Sequence, residues 1–188
     1  MGEKKPIFSV TSIVAMGVGT ALYAVFTIFF NIFQIPGTQL VAVRPSVAIP
    51  MFFGYVFGPI VGFVSGFLGN TIADAISWGG FWWNWDVGNG LLGAIPGIGY
   101  YLIKEREELS STKSLAMCAL LAVIASIVGM GFAAYTDYIF GYGISTIEEA
   151  TTILFIPAAA TDAINGAILT PILLAAYAAA VKGRARRA

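Results

Sequence analysis

Residues 53–97 read FGYVFGPIVGFVSGFLGNTIADAISWGGFWWNWDVGNGLLGAIPG and decide the fold class. One apolar run follows the Gly58-Pro59 pair and reaches Trp78, and a second begins at Asp86. A helix that crosses a membrane needs about 20 mostly apolar residues to span a ~30 Å hydrocarbon core. This stretch therefore predicts two membrane-spanning helices, joined by a short connection rich in tryptophan.

The rest of the chain continues this apolar pattern. It has 188 residues, of which 58% are hydrophobic and only 11% charged, so it is far more apolar than an ordinary soluble domain. The first apolar run, from Ile7 to Phe33, is too long for a signal peptide and is interpreted as a retained helix. The sequence thus predicts an all-α integral membrane protein, a six-helix transmembrane bundle forming one domain over residues 1–188. The predicted spans are 7–33, 45–57, 58–78, 86–103, 114–140 and 150–181.

Basic residues predict the orientation of these spans, because Lys and Arg in short loops stay on the cytoplasmic side. Of the 10 basic residues, Arg44 alone falls on one side of the six-span arrangement. The others fall on the opposite side: Lys4, Lys5, Lys104, Arg106, Lys113, Lys182, Arg184, Arg186 and Arg187. Both termini are therefore expected in the cytoplasm. The basic tail at 182–187 is interpreted as a topology anchor, with anionic membrane lipid as a secondary partner.

Several function classes are disfavoured by composition. The chain has no histidine, which removes the HExxH metalloprotease motif and the Ser-His-Asp triad. Its single cysteine, Cys118, lies in an apolar run and is interpreted as a buried hydrophobic residue. A net charge of zero gives no indication of nucleic-acid binding. We expect no enzyme activity, no metal site and no cofactor.

All four tryptophans lie in one connection, SWGGFWWNWD at residues 77–86. Tryptophan favours the headgroup level of a bilayer, so an interfacial aromatic belt is one explanation. A belt should, however, appear at both interfaces, and here the tryptophans are predicted at the outer one only. The alternative is that they contact a ligand.

Polar side chains within the spans are concentrated in the same outer half. Asp74 lies about 22 Å along its helix from the cytoplasmic end, at 1.5 Å per residue, and Asn70 is one turn deeper on the same face. On the sixth span Asp162 and Asn165 are three positions apart and also share a face. A buried carboxylate or amide costs several kcal/mol unless it is paired or hydrated. These groups either hydrogen-bond one another to hold the helices together or line a cavity, and their common bias favours a cavity. The candidate ligand-binding residues are Arg44, Asn70, Asp74, Trp82, Trp83, Asn84, Trp85, Asn89, Tyr135, Asp162 and Asn165.

Arg44 is the one basic residue on the predicted outer side. It could pair with Asp74 or Asp162, or it could bind an anionic group of a ligand. The sequence leaves these alternatives open.

Small residues at four-residue spacing predict close helix contacts. Gly58, Gly62 and Gly66 in the third span, with Gly93 and Gly97 in the fourth, are interpreted as internal packing positions. The first span carries two such pairs, Ala15 with Gly19 and Gly17 with Ala21.

Together these features resemble the substrate-binding S component of energy-coupling factor (ECF) vitamin transporters, and their riboflavin-type branch in particular. The resemblance is carried by the size, the six predicted spans, the small-residue pattern of span one, and the segments FGYVFGPIVGFVSGFLGNTIADAIS and FWWNWDVGNGLLGAIPG. It implies a plasma-membrane subunit that binds a water-soluble vitamin in its outer half, with riboflavin as the first candidate. It also implies partners, namely a membrane scaffold subunit with two cytoplasmic ATPases. The chain itself has no phosphate-binding G-x-x-x-x-G-K-[ST] motif.

In that family the small-residue face of the first helix contacts the scaffold. The corresponding positions here are Ala15, Gly17, Gly19 and Ala21.

Rival functions from other classes remain open at this stage. A proton-coupled secondary transporter or channel would use Asp74 and Asp162 as titrating groups, although no inverted repeat is evident. A membrane enzyme is disfavoured because no metal or nucleotide constellation is recognisable.

Overall fold

The computed structural model describes residues 9–38, 41–103 and 109–185, and these residues are helical throughout most of their length. The helices are α1 (Val10–Phe30), α2 (Ala48–Phe57), α3 (Pro59–Trp78), α4 (Trp83–Ala94), α5 (Gly99–Leu102), α6 (Thr112–Phe140), α7 (Ile147–Glu149) and α8 (Ile156–Ala185). Short 3-10 turns at Pro45–Val47 and Pro96–Ile98 precede α2 and α5, and a π-helix at Ala150–Phe155 joins α7 to α8. In the described ranges no β-strand forms, and the one pairing of extended backbone is an isolated bridge between Gln34 and Ala42.

Within the described residues, four helical segments are long and apolar enough to cross a membrane: Val10–Phe30, Pro59–Trp78, Thr112–Phe140 and Ile147–Gly183. Pro45–Phe57 is a shorter apolar helix. The prediction of an all-helical, multi-pass membrane protein is therefore confirmed. The count of six spans and the orientation of the termini stay predictions, since the orientation rests partly on residues outside the described ranges, namely Lys4, Lys5, Lys104, Arg106, Arg186 and Arg187.

The helix α2 lies inside the bundle, packed against α1, α3, α4 and α8. Around it, α3 contacts α1 and α4, while α6 contacts α4 and α8. The turn from α2 into α3 needs only Gly58, whose φ of 109° is a conformation that glycine adopts without a steric penalty. Pro59 follows at the first position of α3, where a missing N–H costs no hydrogen bond.

Glycines hold α3 against α4 at backbone contact distance. A methyl group added at Gly62 would overlap the carbonyl group of Gly93, and one added at Gly66 would overlap the carbonyl oxygen of Asn89. Small residues at such crossings let two membrane helices approach more closely than larger side chains would allow. The approach fixes the depth of the start of α4 relative to the polar end of α3.

The antiparallel arrangement gives the bundle two different ends. At the end that we call the tryptophan end, α1, α3 and α6 finish and α4 and α8 begin. The opposite end contains the α2–α3 turn, α5, the start of α6 and the end of α8. An apolar cluster of Tyr55, Leu109, Cys118, Leu174 and Ala178 fills the opposite end.

Candidate ligand-binding site

A cavity opens at the tryptophan end, between α1, α3, α4, α6, α8 and the segment that leads to α2. The space open to the centre of a water-sized sphere is about 130 Å³, whereas one water needs about 10–15 Å³ by that measure. The cavity is therefore large enough for a small organic molecule. Its lining consists of Asn31, Val41, Arg44, Asn70, Asp74, Trp78, Trp82, Trp85, Asn89, Asp137, Tyr142, Leu154 and Ala158.

Asn70 is the centre of a polar network on one wall of this cavity. Its carbonyl oxygen accepts a hydrogen bond of 3.1 Å from Nη1 of Arg44. Its amide nitrogen donates to Oδ2 of Asp74 at 2.8 Å and to Oδ1 of Asp86 at 2.9 Å. One buried amide thus joins the guanidinium of the segment before α2 to a carboxylate on α3 and another on α4.

This network bears on the alternatives for Arg44. Arg44 reaches Asp74 through the amide of Asn70, and its Nε has no hydrogen-bond partner among the described residues. Burial lowers the pKa of Arg44, but nearby Tyr23, Asp162 and Asp74 together raise it above its ordinary value. The guanidinium therefore remains charged, and its buried Nε is unpaired within the described residues.

Asn89 lies on the cavity wall with its side chain fixed at both ends. Its carbonyl oxygen accepts a hydrogen bond from the hydroxyl of Tyr23, and its amide donates to the backbone carbonyl of Trp85 at 2.8 Å. Tyr23 is fully buried on α1. A single tyrosine in an apolar run gave no signal in the sequence, because its partner lies 66 residues away.

Asp137 forms a second polar wall on α6. Its Oδ1 accepts a hydrogen bond of 2.7 Å from the amide of Asn84, and its Oδ2 accepts one of 2.8 Å from the indole of Trp85. Asn84 also donates to the backbone carbonyl of Ala133 at 3.0 Å. Asn84 therefore supports Asp137 from behind the cavity rather than lining it.

Asp162 lies on α8, one turn beyond the cavity-lining Ala158. It is only 1% exposed, and neither of its carboxylate oxygens has a hydrogen-bond partner among the described residues. Asn165, the neighbour with which it was expected to share a face, donates instead to the backbone carbonyl of Thr161 at 2.9 Å.

The structure brings together part of the predicted site. Arg44, Asn70, Asp74, Trp82, Trp85 and Asn89 line the cavity, whereas Trp83, Asn84, Tyr135, Asp162 and Asn165 do not. Trp83 packs against Phe132 and Phe140 on the outside of the bundle, with ring centroids 6.3 and 5.9 Å away. The hydroxyl of Tyr135 lies 3.2 Å from that of Thr151.

Sequence reasoning missed several lining residues: Asn31, Val41, Trp78, Asp137, Tyr142, Leu154 and Ala158. Asp137 carried a usable signal, because it is an acidic residue at the outer end of a predicted span. The predicted ligand-binding residues include Tyr135 and not Asp137, although two side chains two positions apart on a helix point about 200° away from each other. Asn31 and Tyr142 lie at the edges of connections, just after α1 and α6, where no helical periodicity predicts the direction of a side chain.

The four small residues expected to contact a scaffold fall on two faces of α1. Ala15 and Gly19 are buried, and a methyl group at Gly19 would overlap the hydroxyl oxygen of Ser65 on α3. Gly17 and Ala21 are exposed, and no atom lies within 4 Å of a methyl group placed at Gly17. In this conformation the chain itself covers Ala15 and Gly19, and only Gly17 and Ala21 are accessible to a partner.

Comparison with known proteins extends over nearly the whole chain. The family model described as the S component of ECF-type riboflavin transporters matches residues 7–179. A UPF0397 protein of Lactobacillus helveticus is 32% identical over 178 residues, covering 93% of this chain and 92% of its own. Others from Leuconostoc citreum (32% identical; 98% and 95% covered) and Vibrio atlanticus (31%; 70% and 72%) are similar. No solved structure matches the chain.

Proposed function

Because the chain belongs to the family of ECF-type riboflavin transporter S components, we propose that it captures a small water-soluble ring compound of the vitamin class for uptake. Members of this family are transporter subunits and not enzymes. The observation that carries the proposal is the cavity at the tryptophan end, whose lining contains three indoles and three carboxamides. Riboflavin, the compound in the family's description, is the first ligand to test.

The cavity combines the two kinds of contact that a polar ring compound needs. Trp78, Trp82 and Trp85 offer flat apolar surface on which a ring can stack. Asn70 and Asn89 offer amide groups whose positions are fixed by hydrogen bonds, so that they can distinguish one ring substituent from another. Stacking would supply most of the buried area, and the amides would supply specificity for one ring compound over another.

The proposed arrangement in the cell follows from charge and topology. We place the tryptophan end on the outer side of the plasma membrane and both termini in the cytoplasm, with six spans in total. S components work with a scaffold membrane subunit and ATPase subunits. Because this chain has no phosphate-binding loop of its own, those partners would supply the energy for release into the cell.

Docking to the scaffold is proposed through the outward face of α1 that contains Gly17 and Ala21. These residues leave a shallow strip between larger exposed side chains such as Val14 and Val18. Small residues on a lipid-facing helix allow a second helix to approach its backbone closely. Ala15 and Gly19 would act indirectly, by fixing α1 against α2 and α3.

The decisive experiment measures ligand capture by the purified protein in lipid nanodiscs. Riboflavin and a panel of water-soluble vitamins are titrated while tryptophan fluorescence is followed. Asn70→Leu removes the amide that joins Arg44, Asp74 and Asp86, so it should lower affinity by at least about 30-fold, since each buried polar group left unpaired costs 1–3 kcal/mol. Thr170→Val, a buried and nearly isosteric change on α8, is the matched control and should bind normally.

Docking is tested by copurification with a coexpressed scaffold and its ATPases. Ala21→Leu on α1 should reduce the copurified scaffold, whereas Ala176→Leu, at an exposed alanine of α8, should not. Equal recovery with both variants would place the scaffold contact elsewhere.

A second candidate function is supported by the unpartnered carboxylate of Asp162. A buried acidic group without a partner suits a proton-coupled carrier, in which Asp74 and Asp162 would titrate during transport. Uptake by liposomes that contain this chain alone, driven by a proton gradient, would favour the carrier over the S component.

A further inference from the structure

The cavity and its walls hold an excess of acidic groups. Asp74 and Asp137 line the cavity, and Asp86 is hydrogen-bonded to the same amide as Asp74. Asp162 lies one turn from the lining residue Ala158. Among the described residues, Arg44 is the only basic side chain that lines the cavity. When all of these carboxylates are ionised, the site therefore carries a net negative charge.

Neutral groups supply the hydrogen bonds that these carboxylates accept within the described parts of the chain. Asp74 and Asp86 share the amide of Asn70, and Asp137 accepts from the amide of Asn84 and the indole of Trp85. Oδ2 of Asp86 and both oxygens of Asp162 have no partner in the described ranges. Neutral donors orient a carboxylate but leave its charge uncompensated.

Uncompensated charge in a membrane-embedded cavity requires a counter-charge or protonation. Isolated buried ions lose several kcal/mol of hydration, which a paired opposite charge recovers in part. Arg44 is already directed to the wall of α3, where its Nη1 bonds Asn70. The carboxylate of Asp137, on the α6 wall, is bonded only to neutral side chains among the residues that the structure describes. Asp137 is 94% removed from solvent.

We propose that the natural ligand is a nitrogen-containing ring compound that carries a positive charge, and that its cationic group binds Asp137 beside Trp85. This inference rests on the proposed capture function and narrows its substrate class. The indole of Trp85 already donates to Asp137 and so orients its carboxylate, with which a cation at this point forms a charge-assisted hydrogen bond. Each oxygen of Asp137 accepts one hydrogen bond and retains a lone pair for a ligand N–H.

The cavity also indicates the chemistry of the end of the ligand that lies opposite the cationic group. The positively charged Arg44 lines the cavity beside Asn70, so a carbonyl, hydroxyl or ring nitrogen of the ligand lies toward the wall of α3. The compound is thus polarised, with its cationic group toward α6 and an acceptor toward Arg44. Riboflavin, which is neutral, satisfies the second requirement and not the first.

The test uses two probes that differ by a single charged group. Pyridoxamine has an ammonium group where pyridoxine has a hydroxyl, and thiamine and riboflavin serve as a second cationic and neutral pair. Binding to wild-type protein in nanodiscs is measured by isothermal titration and tryptophan fluorescence. The cationic member of each pair should bind at least about tenfold more tightly, as a charge-assisted contact with an aromatic neighbour allows.

Two variants then test whether the preference for cationic probes depends on Asp137. Asp137→Asn keeps the side-chain shape and should bring pyridoxamine and pyridoxine to within about threefold of each other, because the ion pair is gone. Glu148→Gln removes the same charge from an exposed position on α7 and should preserve the preference. Thermal unfolding of each variant is recorded, and the wild-type comparison decides the question by itself if Asp137→Asn does not fold.

The outcomes separate the two proposals. If neutral probes bind more tightly, or if folded Asp137→Asn keeps the preference for cations, the proposal of a cationic ligand is overturned. Saturable binding of any probe would still support the capture function. Absence of saturable binding by all four probes contradicts the capture function and the ligand class together.

Discussion

The tryptophan end of the bundle buries amides, carboxylates and indoles, whereas the opposite end buries mainly apolar groups. At the opposite end, Leu109, Cys118, Leu174 and Ala178 surround Tyr55, whose hydroxyl donates to the backbone carbonyl of Ser114 at 2.9 Å. At the tryptophan end, buried atoms of Arg44, Asn84, Asp86 and Asp162 have no partner among the described residues. The hydroxyls of Thr20 and Ser65, in the middle part of α1 and α3, also have no partner in the described ranges, so unpaired polar atoms are concentrated toward the tryptophan end but are not confined to it.

This difference separates the end that is closed by apolar packing from the end at which ligand binding is proposed. An unsatisfied buried polar atom costs about 1–3 kcal/mol, so a fold under selection for stability alone would pair or remove it. Several of these atoms lie behind the polar walls of the cavity, and polar walls of this kind are expected where a small polar ligand binds. The opposite end, with its closed packing, provides the rigid base from which the cavity walls extend.

The largest expected effect, on folding itself, comes from breaking the close contact between α3 and α4, on which both ends of the bundle depend. Gly62→Leu would force a side chain into the backbone of Gly93 and separate α3 from α4. We expect loss of most folded protein in size-exclusion chromatography, since overpacking by several methylenes costs about 3 kcal/mol or more. Gly17→Leu is the control, because no atom lies within 4 Å of its added methyl position. If Gly62→Leu were as stable as this control, the close α3–α4 contact would be disproved.

A second comparison separates the tryptophans by position. Trp82→Leu removes a cavity wall and should weaken ligand binding by about tenfold, whereas Trp83→Leu should change it by less than about twofold. Trp83 instead packs against Phe132 and Phe140, so its loss should lower thermal stability. Equal losses of affinity in calorimetric titrations would mean that both indoles contact ligand.

The smallest expected effect compares one hydroxyl at each end. Tyr23→Phe and Tyr55→Phe each delete a buried hydrogen bond and should each lower the free energy of unfolding by about 1 kcal/mol. Only Tyr23→Phe should weaken binding, by about threefold, because Asn89 loses the donor that fixes its carbonyl at the cavity. Thermal unfolding and ligand titration of both variants measure the two effects separately. A loss of affinity in Tyr55→Phe as well would show that the opposite end is coupled to binding.

Sequence reasoning predicted part of this site for identifiable reasons. Asn70 and Asp74 were found because a polar residue in an apolar span is costly and four positions along a helix share a face. Asp162 and Asn165, three positions apart, were grouped by the same rule, but Asn165 bonds the backbone of its own helix instead. Trp82 and Trp83 were indistinguishable as neighbours in one connection, and only the start of α4 at Trp83 sends their side chains to different places.

The sequence by itself determined the all-helical membrane class, the glycine positions suited to close helix contact, and the family to which the chain belongs. These properties follow from local composition and spacing, because lipid requires each spanning backbone to satisfy its own hydrogen bonds. Tertiary structure alone decided that Asn70 joins Arg44 to Asp74 and Asp86, that Tyr23 fixes Asn89, and that Ala15 and Gly19 face inward. The physical reason is that these contacts join residues on different helices, whose relative rotation and depth are set by the packing of the whole bundle.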